Sequence, residues 1–383
     1  AVDRSGKTPL SLAESKRSES PEAESTYGLL HNLSNSWGVK TTLSKHSPYS
    51  TPENLVFKGG GPKGSAYVGV LNSLDKRGLL KGIKRVAGTS SGAITATLVS
   101  LGYTAKETAT LLINKNLMDF IDHPLSKTRL EEATSTLGMN ITTLQTCYDT
   151  IKSVTNGSLV LDIFKKMYNT TGVCKGESFR LWIEDLIASK IAEVTGKNKE
   201  EWAYLTFGEL RKFIKEGKPF KHIHVFGTKL GRNPETIEFS SEDPSCDNYI
   251  ISDAIRISMS IPGVFEPHSI HIKQGKDRIC YEKGGSFVDG GVLYNLPAET
   301  FDRKKYQTQK DLGDEGNCPQ FNKKTIGFNL YSPEKPITGK DNVETIGALL
   351  VGIAAAYSNA EQILRKLNPY NKGRIIEIDI GDT

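Results

Sequence analysis

The sequence carries little net charge: 49 Lys and Arg against 44 Asp and Glu leave +5 on 383 residues. That surplus is spread thinly and forms no dense basic run of the kind that follows nucleic-acid phosphates, so nucleic acid is excluded as the expected partner. Cysteine is scarce as well. The five cysteines, Cys147, Cys174, Cys246, Cys280 and Cys318, are odd in number and widely spaced, with no C-x-x-C pair. This speaks against a disulfide framework and a zinc site, and for a reducing compartment. No apolar run reaches the ~20 residues needed to cross ~30 Å of hydrocarbon. The uncharged stretch 86–105 is broken by Gly, Ser and Thr, and 345–360 reads as a buried helix. No charged segment followed by an apolar one marks an export signal, and a start at Ala1 without Met is expected of a fragment.

What is present is the composition of a soluble globular protein, 37% hydrophobic and 24% charged, which is neither disordered throughout nor fibrous. Residues 1–52 are rich in Ser, Thr, Glu, Lys and Pro and read as a linker or extension. Within them Thr8-Pro9-Leu10-Ser11-Leu12-Ala13 resembles the opening of an ankyrin repeat. A chance capped helix is the alternative, because a solenoid needs at least ~3 stacked repeats.

Order is expected from the apolar run 54–58, which passes through Gly59-Gly60-Gly61-Pro62-Lys63-Gly64 into a stretch with helical spacing. A second unit follows: strand 83–87, turn 88–92, small-residue helix 93–101. Successive β-α units predict a parallel sheet covered by helices. Residues 104–217 read as mostly helical, an insertion able to cap a site. Its clearest helix carries Phe179, Trp182, Ile183, Leu186, Ile187, Ile191 and Val194 on one face, with Gly196 as C-cap. Strand character returns at 222–226, 236–239, 286–288, 325–330 and 374–380, and 343–367 reads as helix, so the core is α/β with non-contiguous strands.

Gly59-x-Gly61-x-x-Gly64 spells the dinucleotide fingerprint. That reading weakens because the next strand ends in Ala87-Gly88-Thr89-Ser90, without the carboxylate that would hold a ribose. A nucleotide P-loop fails because Lys63 is followed by Gly64 rather than Ser or Thr. What remains is a turn whose backbone N–H groups could hold an anion. Gly88-x-Ser90-x-Gly92, between strand and helix, matches a nucleophile elbow; a tight packing turn is the bland alternative. The histidines are His31, His46, His123, His222, His224, His268 and His271, with none later. An order Ser…Asp…His would therefore end at His268 or His271 after Asp243 or Asp253. His222 and His224 read as ordinary strand residues rather than ligands. Asp289-Gly290-Gly291 closes a strand with a carboxylate that could accept a serine proton, or that simply bonds its own turn.

Taken together and in this order, the Gly59 to Gly64 loop, the Gly88 to Gly92 elbow and Asp289-Gly290-Gly291 resemble the patatin-like phospholipase family. The likeness extends to Thr206-Phe207-Gly208-Glu209-Leu210, to 254–267 and to the late strand 374–380, and so covers about 53–383. It implies a three-layer α/β fold with a mainly parallel central sheet, helices on both faces and the helical insertion 104–217. It also implies an acyl hydrolase of phospholipase A or lysophospholipase type. In it Ser90 attacks the lipid ester and Asp289 is its base. The amides of Gly59, Gly60 and Gly61, with Lys63 and Gly64, form the oxyanion loop, and Gly88, Gly92, Gly290 and Gly291 shape the turns. No metal, calcium or cofactor is implied.

The partner implied is a phospholipid membrane surface. The family includes ankyrin-containing calcium-independent phospholipases and bacterial effectors injected into host cells, some silent until a host protein such as ubiquitin binds. A protein activator and a cytoplasmic, membrane-peripheral location, in the cell of origin or a host, are thus expectations. The insertion is long and the chain stops at Thr383 where relatives continue, so head-group and acyl preference are unread and a C-terminal membrane- or partner-binding part is expected to be missing. A general esterase or neutral lipase is the alternative within enzymes. A non-catalytic docking module is the alternative outside them, disfavoured because Ser90, Asp289 and the loop glycines are all present.

Overall fold

The computed structural model describes residues 51–115, 117–120, 122, 172–281, 285–307, 321–331, 371 and 374–380. The ankyrin-like turn, the middle of the helical stretch at 123–171, and the expected helix 343–367 lie outside the described residues. Two strand–helix units come first among the described residues. β1 (Asn54–Phe57) leads through a short 3₁₀ helix, Gly61–Ala66, into α1 (Tyr67–Lys76), and β2 (Arg85–Thr89) leads into α2 (Ser91–Ser100). There follow α3 (Ala105–Asn114), β3 (Gly172–Cys174), α4 (Glu177–Thr195), α5 (Phe207–Lys215), β4 (His222–Lys229), β5 (Glu235–Ser240) and α6 (Ile251–Ser258). The chain then forms β6 (Gly263–Phe265), β7 (His271–Gln274), β8 (Asp277–Cys280), β9 (Phe287–Asp289), β10 (Thr325–Tyr331) and β11 (Ile375–Asp379).

The central sheet has the order β11-β10-β1-β2-β4-β5, with β9 also on β4. β11, β10, β1, β2 and β4 are parallel, while β5 and β9 run antiparallel to β4. β3 pairs with β6, and β7 with β8, outside it. Strands buried on both faces read as continuous apolar runs, and β1 and most of β4 do. Their alternate residues divide between two clusters. Leu55, Phe57, Val86, Val225 and Phe328 face the larger core, into which α1, α2, α4, α5 and α6 pack. Val56, Ala87 and Phe226 face a smaller one closed by Leu296, Ala298, Phe301 and Tyr306.

One edge of β4 brings two distant segments of the chain together. β5 occupies the opposite edge from His224 to Lys229. The remaining edge is shared end to end, since β2 pairs with His222 to Phe226 and β9 with Gly227 to Lys229. Thr89 lies opposite Phe226 and Asp289 opposite Gly227, so two segments 200 residues apart in the chain end one register position from each other.

The helix expected around Phe179 and Ile191 is α4, with Gly196 at its C-cap in the left-handed region, φ 70°. It buries Phe179, Ile183, Leu186, Ile187 and Ile191, and also Arg180, Glu184 and Lys190, whose burial the apolar periodicity did not indicate. The described flanks of 104–217 belong to the principal core; the expectation of a cap rests on the part outside the described residues. No helix among the described residues is long and apolar enough to cross a membrane.

The Thr206-Phe207-Gly208-Glu209 segment is a reciprocal capping box for α5: Thr206 Oγ1 accepts from Glu209 N at 3.2 Å, and Glu209 Oε2 from Thr206 N at 2.9 Å. Thr206→Ala is expected to lower unfolding free energy by about 1 kcal/mol in a urea titration, with per-molecule activity unchanged because the capping-box side chains bond neither Ser90 nor Asp289.

Candidate active site

β2 runs past its expected end at Ala87 to Thr89, and α2 begins at Ser91, so the turn between them is a single residue. That residue, Ser90, has φ 54° and ψ −128° and is the one non-glycine residue with positive φ among the described residues. Such strain persists where surrounding backbone over-determines it, and here it does. A Cβ on Gly88 would sit 2.2 Å from the Gly92 carbonyl oxygen, and one on Gly92 would sit 2.2 Å from that of Phe57. The first turn of α2 is therefore pressed against β1 and β2 more closely than any side chain allows.

The Ser90 carbonyl accepts from Ala93 N at 2.8 Å, while its own N–H donates to Ser258 Oγ at 2.9 Å. Its hydroxyl has Met259 Sδ at 3.5 Å and lies near enough to the Asp289 carboxyl to favour the ionised form of that group. Asp289 N donates to Ser260 O at 2.9 Å, and Asp289 Oδ1 accepts from Gly291 N at 2.6 Å. The turn bond expected of an ordinary D-G aspartate is thus present together with the contact to Ser90. Gly290 lies so close to β4 that a Cβ would meet Phe226 O at 2.4 Å. Burial pushes Asp289 up to about 7, against the downward pull of the Ser90 hydroxyl and the Gly291 N–H.

The glycine loop reaches the same point, since a Cβ on Gly59 would lie 2.9 Å from Ser90 Cβ. Its amides are not equivalent. Gly59 N donates to Asn295 O at 3.1 Å, which corrects the expectation that this N–H serves an oxyanion; it is already engaged. Lys63 N likewise donates to Gly60 O at 3.2 Å. The N–H groups of Gly60 and Gly61 meet no acceptor among the described residues. Gly64 has a packing role, lying where a Cβ would come within 2.8 Å of Ser91 Oγ. Partial burial lowers the Lys63 ammonium from its ordinary value.

The histidines gather elsewhere. His268 Nε2 is 2.6 Å and His271 Nδ1 3.1 Å from Asp253 Oδ1, and neither is bonded to Ser90. Asp243 caps the turn Pro244–Cys246 through Ser245 N at 2.9 Å. The order Ser…Asp…His is therefore not assembled. Asp253, His268 and His271 are a group spaced to suit a metal ion, but Arg278 Nη2 lies 2.6, 3.5 and 3.2 Å from their three ligand atoms and supplies the positive charge itself. His224 is a strand residue held between Glu238 and Glu242, at 2.7 and 3.0 Å; His31, His46 and His123 lie outside the described residues. Sequence reasoning missed Ser258, Met259, Ser260 and Asn295. The first three fall in a stretch the family resemblance marked without giving a role, and no spacing signals Asn295.

Gly88→Ala is expected to destabilise the protein by more than ~3 kcal/mol in equilibrium unfolding, because backbone rather than a flexible side chain meets the new methyl group. Asp289 gives the opposite sign. Its folded pKa is raised, so the folded state binds the extra proton between about pH 4 and about 7 and loses stability as pH rises through that window. Asp289→Asn should therefore raise Tm at pH 8, with the gain over wild type shrinking as pH falls below about 7 and vanishing near about 4.

With this geometry in place, relatives were compared. The family model described as patatin-like phospholipase matches residues 55–302. Among curated proteins, YqhO of Bacillus subtilis is 29% identical over 250 residues, covering 65% of this chain and 67% of the relative. L620 of Acanthamoeba polyphaga mimivirus is 26% identical over 283 residues, covering 70% and 68%. Both bear the name "Uncharacterized protein". Among solved structures, VipD from Legionella pneumophila matches at TM-score 0.44 and 17% identity over 93% of this chain and 68% of that one. The ExoU–SpcU complex of the type III secretion system of Pseudomonas aeruginosa matches at TM-score 0.37 and 19% identity over 85% and 52%. The family match spans the glycine loop, the elbow at Ser90 and the turn at Asp289, and the chain belongs to the patatin-like phospholipase family of lipid hydrolases.

Proposed function

We propose that the protein is a phospholipase A or lysophospholipase that works through a Ser90–Asp289 dyad. The observation that carries this reading is the meeting of β2 and β9 on one edge of β4, which sets the strained Ser90 one register position from the carboxyl-bearing Asp289. In this reading Ser90 Oγ attacks the ester carbonyl carbon and its proton passes to Asp289. The negative charge on the former carbonyl oxygen is taken by the Gly60 and Gly61 amides, with Lys63 adding positive charge nearby. Collapse expels the lysolipid alkoxide, which recovers the proton from Asp289. Water, deprotonated by Asp289, then attacks the acyl-enzyme, releasing the fatty acid and restoring Ser90.

The raised pKa suits this task, because a base titrating near 7 both accepts a proton and gives it back at neutral pH. The lipid surface is the proposed partner, and a metal takes no part in the steps.

The test is fatty-acid release from phospholipid liposomes in EDTA, with and without a eukaryotic cytosolic extract. Wild type is expected to release fatty acid, and Ser90→Ala and Asp289→Asn to lose a factor on the order of 10³ or more. Activity should rise with pH through about 7 and then level, as Asp289 ionises. Dependence on extract would identify a protein activator, whereas equal hydrolysis of short soluble esters would favour the general esterase. Folded wild type with no release under any condition would contradict the reading.

A further inference from the structure

Helix α6 is wholly buried, yet half of its eight residues are polar, and each of these is bonded to a different part of the molecule. Ser252 Oγ donates to Glu184 Oε1 on α4 at 3.2 Å. Asp253 holds His268 at 2.6 Å and both nitrogens of the Arg278 fork at 3.0 and 2.6 Å. Arg256 Nη1 donates to Ser260 Oγ at 2.6 Å, and Nη2 donates to the carbonyls of Glu266, at 3.1 Å, and Lys175. Ser258 Oγ donates to Phe226 O at 2.6 Å and accepts from Ser90 N at 2.9 Å.

The turn that ends this helix reaches both members of the dyad. Ser90 sits at a one-residue junction where its N–H belongs to neither the β2 ladder nor the α2 ladder, and the Ser258 hydroxyl is its partner. One residue on, Met259 Sδ lies 3.5 Å from Ser90 Oγ. One further on, Ser260 O accepts the N–H of Asp289 at 2.9 Å. The turn itself is braced by Arg256, a residue 1% exposed whose guanidinium carbon lies over the Phe265 ring, 5.0 Å from its centroid. Among the described residues Arg256 makes no ion pair, and its Nε has no hydrogen-bond partner. Burying an unpaired guanidinium is costly, and an apolar side chain would fill the volume without that cost. What the arginine adds is fixed direction: one fork ties Ser260, Lys175 and Glu266 together.

We propose that the turn 258–260, anchored by Arg256, is the positioning clamp of the dyad, with Ser258 setting the nucleophile and Ser260 setting the base. This rests on the dyad reading above, and neither serine is assigned contact with substrate. Removing the Ser258 hydroxyl leaves the Ser90 N–H and the Phe226 carbonyl without their shared partner. The elbow then relaxes, and a displacement of the reacting oxygen by about 1 Å costs on the order of 100-fold in rate.

The experiment compares wild type, Ser258→Ala, Ser260→Ala and Ser90→Ala in the full chain. It measures kcat and KM for fatty-acid release from phosphatidylcholine liposomes, the rate of labelling by a fluorophosphonate, and the pH profile of each. Rates are taken per folded molecule, from thermal unfolding curves recorded in parallel. Ser258→Ala is expected to lose roughly 10- to 100-fold in kcat and in labelling rate, with KM within about twofold and the pH midpoint unmoved, because Asp289 keeps its own support. Ser260→Ala is expected to move the midpoint to lower pH, as the loosened turn admits water to Asp289. Should Ser258→Ala fail to fold, Ser258→Cys replaces it, keeping shape with a far weaker acceptor, and a smaller loss of the same kind is expected. Wild-type kcat and labelling in folded Ser258→Ala or Ser258→Cys overturns the clamp, as does a loss confined to KM. Undiminished release by Ser90→Ala overturns the dyad reading instead, so the two failures are told apart.

Discussion

The meeting of Ser90 and Asp289 at the edge of β4 depends on one close approach of backbone to backbone. Gly88 and Gly92 let the first turn of α2 press on β1 and β2 at distances that would put a Cβ 2.2 Å from a carbonyl oxygen. That contact forces β2 to hand over to α2 within a single residue, and Ser90 takes the positive φ that results. The strain is local, whereas its support is spread through the sheet: β9 abuts the end of β2 on β4, and Gly290 sits against Phe226 as tightly as the elbow glycines sit on theirs. Ser90, Asp289 and the glycine loop are thus brought together largely by main-chain contacts, to which the Ser258 hydroxyl adds its bond to the Ser90 N–H.

The polar interior follows a similar logic. Asp289 is held where burial opposes its charge, a cost to the folded state at neutral pH that gives the group a useful proton affinity. Arg256, too, is buried and makes no ion pair among the described residues; burial lowers it to about 10, against the attraction of Asp122 and Glu177, still charged at neutral pH. By contrast, Asp253 is surrounded by His268, His271 and Arg278, and Glu184 by Arg180 and Ser252, so those charges are shared within the body of the protein. Glu184 is nonetheless pushed up to about 7, with burial outweighing the attraction of Arg180.

Much of this was legible in the sequence because it is written in local patterns. The glycine loop, the elbow and the D-G-G turn each carry their signature within six residues, and the apolar face of α4 and its Gly196 cap follow helical periodicity. What failed to show were the long-range facts. Nothing local says that β2 continues through Gly88 and Thr89, residues of turn-like composition, or that Gly59's amide is engaged by Asn295, 236 positions later. The burial of Arg256 and Ser258 was hidden because polar residues on a short helix read as solvent-facing until the sheet that covers them is known. The family resemblance marked that stretch, and only its hydrogen bonds give it a role.

The central claim is that Ser90, and no other residue, forms the covalent acyl intermediate. The most direct test is to label the folded, full chain with a fluorophosphonate and locate the adduct by peptide mass spectrometry. The account predicts a single phosphonylated peptide carrying the modification on Ser90, formed more slowly in Asp289→Asn, with lipid hydrolysis lost in step with labelling. An adduct on another residue, or full hydrolysis by protein modified at Ser90, would contradict it.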